Sequence, residues 1–209
     1  MKIDVSRVRL GRDEYRVLRP AVPPRHAFLH DDGWALSMHV DRAASRALAD
    51  LWALATRSRR SLVHLPLRGN VAPEGVEAAE PLDLVLLHHA AQFPLSRWPA
   101  VRARLGKGRP QTARPAPLPA SADYRRLHHR EYRDLLRFDV AARTLFVTGG
   151  PESFVREGAR LRSLVTDGPS RSLDAHFCVE LDAGRASRTC SGRLHIEYVS
   201  AATLRRNWT

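Results

Sequence analysis

One order of elements can be read twice along this chain, and that recurrence limits the fold more than any other feature. Residues 35–67 and residues 144–181 each read strand, helix, strand. In the first, Asp41 stands where an N-cap belongs, and Ala44, Leu48, Leu51, Trp52 and Ala55 recur at helical spacing, which predicts a helix over 42–57. In the second, Gly149-Gly150-Pro151 opens a helix with proline in its first turn. Phe154, Val155, Leu161, Leu164 and Val165 supply its apolar stripe, and Gly168 stops it. The closing strands carry SLVHLPL and SLDAHFCVEL. A duplicated β-α-β unit explains both stretches. The expected fold class is therefore α+β, with mixed or antiparallel sheets, a few packed helices and two related strand-helix-strand halves.

The flanking segments fit this frame. Ile3 to Leu10, Tyr15 to Leu18 and His26 to His30 read as strands. Asp31-Asp32-Gly33 is a hairpin turn into Trp34 to Val40, since an Asp-Gly pair between apolar runs supplies the residue types such turns require. Residues 69–81 read as a loop and Leu82 to His88 as a short buried strand. Ser96 is placed to cap a helix carrying Trp98, Val101 and Leu105, with Pro99 in its first turn. Residues 109–122 hold Pro110, Pro115, Pro117 and Pro119 and read as an extended, semi-rigid linker. That divides the chain into an N-terminal α+β half (1–108), the linker (109–122) and a C-terminal α+β half (123–209). In the last half, Asp134 to Val140 and Ala142 to Val147 form a hairpin around 139–142, and His176 to Leu181 pairs with Arg193 to Val199.

Charge narrows the partners. Lys plus Arg is 34 against 22 for Asp plus Glu, a net charge of +12 in 209 residues. Only Lys2 and Lys107 are lysines, and isoleucine is confined to Ile3 and Ile196, a bias that points to a high-GC bacterial genome. The charge still attracts polyanions and acidic proteins over a Debye length of ~8 Å at physiological salt. No apolar run reaches the ~18 residues that a membrane span needs. The first residues lack the apolar core of a secretory signal, and two cysteines are too few for a disulfide framework. The expectation is a cytoplasmic protein without membrane contact.

Two constellations could carry chemistry. Arg97, Arg102, Arg104, Lys107, Arg109 and Arg114 follow one another with no acid between them, a pattern able to track a phosphate backbone, with Trp98 as a stacking surface or, alternatively, as core. In the C-terminal hairpin, strand alternation puts His176, Cys178 and Glu180 on one face, with His195 and Glu197 sharing it across the pair. With Cys190 these residues offer soft ligands for zinc, but no C-x-x-C pair is present. The expectation is a solvated sheet face with no metal or cofactor, zinc being the alternative that the donor set admits. Walker, dinucleotide-binding, H-E-x-x-H and G-x-S-x-G motifs are missing from the sequence, and Cys178 with His176 or His195 has no evident third group to orient a thiol–base pair. Gly149-Gly150-Pro151 sits where backbone N–H groups can hold an anion, though a structural turn uses the same residues. The chain does not read as an enzyme.

Residues 144–181 resemble one group of small immunity proteins of bacterial polymorphic toxin systems. Gly149 at a strand end, then Glu152, Phe154 and Leu161 on the helix and His176 in the next strand stand at the matching positions. The resemblance implies a non-catalytic protein that binds and blocks a partner toxin. The leading expectation is thus a protein-interaction module, an immunity-like inhibitor or accessory subunit. The alternative is a nucleic-acid-binding protein using the Arg-rich segment 97–114. Oligomeric state is not legible in the sequence.

Overall fold

The computed structural model describes residues 1–74, 76, 80–125, 133–171, 176–186 and 192–200. Two antiparallel hairpins come first, β1 (Lys2–Leu10) with β2 (Asp13–Pro20) and β3 (Ala27–Asp31) with β4 (Leu36–Val40). Helix α1 (Arg42–Arg57) leads to β5 (Ser61–Leu65), the short β6 (Glu80–Pro81) and β7 (Asp83–His88). Then follow α2 (Trp98–Ala103) and β8 (Arg109–Thr112). The remainder is β9 (Arg137–Ala141), β10 (Thr144–Gly149), α3 (Pro151–Thr166), α4 (Gly168–Arg171), β11 (Cys178–Asp182), β12 (Arg185–Ala186) and β13 (Arg193–Tyr198). The expected α+β class with mixed sheets is what forms.

The larger sheet runs β12-β9-β10-β7-β5-β2-β1-β8 and the smaller β11-β13-β4-β3-β6. The recurrence in the sequence is repeated in space, with an exchange. The unit β3-β4-α1-β5-β6-β7 starts in the smaller sheet and crosses through α1 to the larger. The unit β9-β10-α3-β11-β12-β13 starts in the larger and crosses through α3 to the smaller. Both helices have 16 residues. In each sheet a hairpin from one unit lies parallel to the last strand of the other, β13 on β4 and β7 on β10. The registers coincide as well. Val63 faces Leu86 and Leu62 faces Leu87 in one unit, as Val179 faces Ile196 and Cys178 faces Glu197 in the other. Both sheets therefore take strands from residues 1–108 and from 123–209.

One core joins the inner faces of both sheets to both helices. It contains Val5, Leu18, Val63 and Leu86 from the larger sheet, Leu29, Met38, Ile196 and Leu181 from the smaller, and Leu48, Trp52, Phe154 and Leu161 from α1 and α3. Asp41 caps α1 as expected, its Oδ1 accepting from the Ala44 N–H at 2.7 Å. A second cluster, Trp98, Val101, Phe93 and Leu105 over Val17, Val85, Leu87 and Phe146, seals the outer face of the larger sheet. Trp98 is fully buried, and its indole donates to Thr144 Oγ1 at 2.9 Å. It is core, and no base can stack on it.

Several local expectations are corrected. The segment expected as linker begins with β8, which pairs antiparallel with β1, and the Met1 and Ala113 main chains exchange hydrogen bonds of 2.8 and 3.0 Å. Pro110 is tolerated because β8 is an edge strand, where a missing donor can face away from the ladder. Ser96 caps nothing. It lies within a 3-10 turn, Leu95–Arg97, that runs directly into α2. The β9–β10 turn is Ala142-Arg143, both left-handed (φ 50° and 56°), two residues beyond the centre of the expected 139–142. Neither residue is a glycine, so the type I′ signature that would mark such a turn in sequence is missing.

Candidate functional site

The six cations picked out in the sequence do not form one surface. Arg97 pairs with Asp13 and donates to Tyr15 Oη at 3.0 Å. Arg102 donates to the Ala142 carbonyl at 3.0 Å and lies 3.6 Å from Asp83. Arg104 donates to the Arg9 carbonyl at 3.4 Å. Lys107 and Arg109 instead line an open groove of about 710 Å³ with Arg7, Arg16 and Gln111, at the β1–β2–β8 end of the larger sheet. Arg19 shapes its rim, donating to the Gly106 carbonyl at 2.6 Å. Glu14, 3.0 Å from Arg7, is an acid at this end. Arg114 lies just past β8, exposed. The sequence missed Arg7 and Arg16 because β1 meets β8, and β2 reaches the groove beside β1, only through tertiary pairing.

Asp83 is the buried charge that organises the strand ends nearby. It accepts from the Leu67 and Arg68 N–H groups at 2.9 and 3.1 Å and from Arg68 Nε at 2.8 Å, with His64 Nε2 at 3.7 Å. Burial pushes its carboxyl up, but interaction with His64 and the backbone hydrogen bonds of Arg68 and Leu67 more than offset this, holding it well below the usual carboxylate range. Burial lowers the His64 imidazole, against the pull of Asp83. Every partner of Asp83 is structural, and the group anchors the fold.

The helix start at Gly149-Gly150 is likewise filled from within. Asp134 accepts from the Gly150, Glu152 and Ser153 N–H groups at 2.8, 2.9 and 3.1 Å and from Ser153 Oγ at 2.9 Å. The chain's own carboxylate takes the position that an anion would occupy.

The outer face of the smaller sheet is different. On the outer face of the larger sheet, Leu62 and Leu87 lie beneath α2. The positions corresponding to these two are Cys178 and Glu197, and His195 corresponds to Val85. The face thus carries titratable groups where the other unit carries apolar ones. The His176 and His195 rings stack 5.5 Å apart and 7° from parallel, and His30 and His39 stack at 5.6 Å and 4°. Glu197 joins the two stacks, its carboxylate 3.4 Å from His39 Nδ1 and 3.3 Å from His176 Nδ1. His195 Nδ1 is 3.4 Å from Glu180. The hydrogen bond from His39 lowers Glu197, against the effect of burial and with help from His176. Burial raises the Cys178 thiol, and Glu180 and Glu197 raise it further. A catalytic thiol is activated by the reverse field, that of nearby cations.

His176, Cys178 and His195 each offer a ligand atom, and these atoms lie within 4.8 Å of one another. Strand alternation had placed them on one face, and here they converge. Cys190, the fourth donor considered, and the His128-His129 pair lie outside the described residues.

At one end of this sheet the β3–β4 turn projects Trp34, 92% exposed. The turn is held by its own acids. Asp32 Oδ1 accepts from the Trp34 and Ala35 N–H groups at 2.8 and 2.6 Å, and Asp31 Oδ1 from the Gly33 N–H at 2.8 Å. Glu80 stands opposite Asp31 in the ladder and pairs with Arg143 at 3.5 Å, which leaves Asp31 and Asp32 as the acids of the turn itself. The turn was legible in sequence, but the exposure of its indole was not.

Among the described residues no helix is long and apolar enough to cross a membrane. No known family model matches the chain, and no curated protein or solved structure matches it either.

Proposed function

We propose that this chain is a non-enzymatic protein-interaction module of the immunity-protein kind, which offers the β3–β4 tip to a basic protein partner. The observation that carries this reading is Trp34, an exposed indole on a turn fixed by three side-chain hydrogen bonds. Burying a tryptophan removes some 150–250 Å² from water, up to roughly 4–6 kcal/mol at 25 cal/mol per Å². Tryptophan is among the residues that dominate binding hot spots, and a preorganised turn loses little entropy on docking. Asp31 and Asp32 beside it complement a cationic surface.

A second reading rests on the groove lined by Arg7, Arg16, Lys107 and Arg109. A groove with this lining suits phosphate contacts along a nucleic-acid strand, which position a strand but read no sequence, and the buried Trp98 offers it no stacking surface.

Photo-crosslinking from position 34 and, separately, from position 107 in producing cells decides between them. A discrete protein adduct from position 34 supports the interaction module. A nuclease-sensitive adduct from position 107, with nothing at 34, overturns it in favour of nucleic acid.

A further inference from the structure

We propose that His176, Cys178 and His195 form a zinc-binding site on the outer face of the smaller sheet. Their ligand atoms already lie within 4.8 Å of one another. Tetrahedral zinc with Zn–N near 2.05 Å and Zn–S near 2.3 Å places its donors about 3.3–3.6 Å apart, so closing the site takes an ångström or so of side-chain movement. His176 directly precedes β11 by two residues, Cys178 opens that strand, and His195 comes from its antiparallel partner β13. Two of the three donors therefore come from adjacent strands of an ordered ladder.

The carboxylates supply the outer support that such sites use. Glu197 Oε1 is 3.3 Å from His176 Nδ1, and Glu180 Oε1 is 3.4 Å from His195 Nδ1. A carboxylate on Nδ1 fixes the tautomer with the proton there and leaves Nε2 as the lone-pair donor, the arrangement found behind metal-bound histidines. Glu197 is itself held by His39. One thiolate and two imidazoles suit zinc rather than magnesium or calcium, which take oxygen ligands.

The fold does not require these residues here. The positions corresponding to Cys178 and His195 in the other unit are Leu62 and Val85, apolar and covered by the α2 cluster. The site faces solvent, with His176 half exposed, so an ion can enter and the fourth position is open to water or an external ligand.

The test is cobalt(II) titration of the reduced, full-length protein, followed by zinc displacement. One equivalent of cobalt should give a thiolate-to-cobalt charge-transfer band with intense tetrahedral ligand-field bands, and one equivalent of zinc should bleach both. Cys178→Ser should abolish the charge-transfer band. His195→Gln and His176→Gln should each weaken binding ten-fold or more, and Glu180→Gln less, with circular dichroism confirming that every variant is folded. Absence of the band in wild type overturns the proposal. A band that survives Cys178→Ser and disappears in Cys190→Ser overturns the assigned donor set.

Discussion

The Trp52 indole N–H donates a 2.7 Å hydrogen bond to the Phe154 carbonyl, and the two rings meet edge to face at 5.0 Å. This contact joins α1 to α3, the corresponding helices of the two exchanged units. Both side chains are fully buried. Trp52→Phe keeps most of the volume and loses the hydrogen bond, and should cost about 1–3 kcal/mol. Trp52→Ala should cost about 3–5 kcal/mol. Urea denaturation with an unchanged m-value checks both.

Asp134 acts on α3 from outside the helix, through three backbone N–H groups and Ser153 Oγ. Asp134→Ala should destabilise by about 1–2 kcal/mol, as loss of a helix cap does, and Asp134→Asn by less. Gly150→Ala should also destabilise, because a Cβ there would lie 2.5 Å from Asp134 Oδ2. Thermal melts of the three variants test this order.

Stability should fall with acid in two stages. His30, His64 and His88 are all lowered by burial, so between their folded values and 6.5 the unfolded chain binds more protons than the folded one. Stability then declines as the pH drops below about 6.5. A second loss follows in the carboxylate range and below it, as Asp83 and Glu197, both depressed in the folded state, take up protons. Denaturant midpoints across pH 8 to 3 should show both stages, and His64→Gln should shrink the first if it folds.

If the groove meets nucleic acid, Lys107→Ala and Arg109→Ala combined should lower the salt slope of binding by about 2, near 0.9 per lost phosphate contact. The same change at Arg97, Arg102 and Arg104 should act on stability instead, since those side chains hold internal partners. Binding titrations across a salt series separate the two sets.

Replacing Trp34 with Ala should leave folding within about 0.5 kcal/mol of wild type, because an exposed side chain contributes little to the core. Retained stability with loss of the position-34 protein adduct's partner in co-purification is the expected pairing.

Local periodicity made much of the architecture readable. The α1 stripe with its Asp41 cap, the recurrence of strand-helix-strand and the C-terminal pairing of 176–181 with 193–199 all follow from spacing and capping chemistry. What sequence could not convey was which strand neighbours which. Nothing in SLVHLPL says that Ser61–Leu65 will sit between a strand from residues 13–20 and one from 83–88. The site divides along the same line. Alternation within one strand put His176 and Cys178 together, whereas the link from Glu197 to His39 crosses from residue 197 to residue 39 and exists only in the folded sheet. The Arg-rich run misled for a related reason, because a guanidinium's partner is chosen in space. Arg102 meets residues 83 and 142, and Arg97 meets residue 13.

Strand exchange also constrains how the molecule is born. During synthesis the first unit leaves the ribosome with β4 lacking β13 and β7 lacking β10, each a buried strand awaiting a parallel neighbour more than fifty residues downstream. The larger sheet is incomplete until β12 has emerged and the smaller until β13, so the leading half alone leaves strands of both sheets without neighbours. Assembly should be late and all at once, and a nascent chain stalled after residue 122 should remain open to protease where the finished protein resists it.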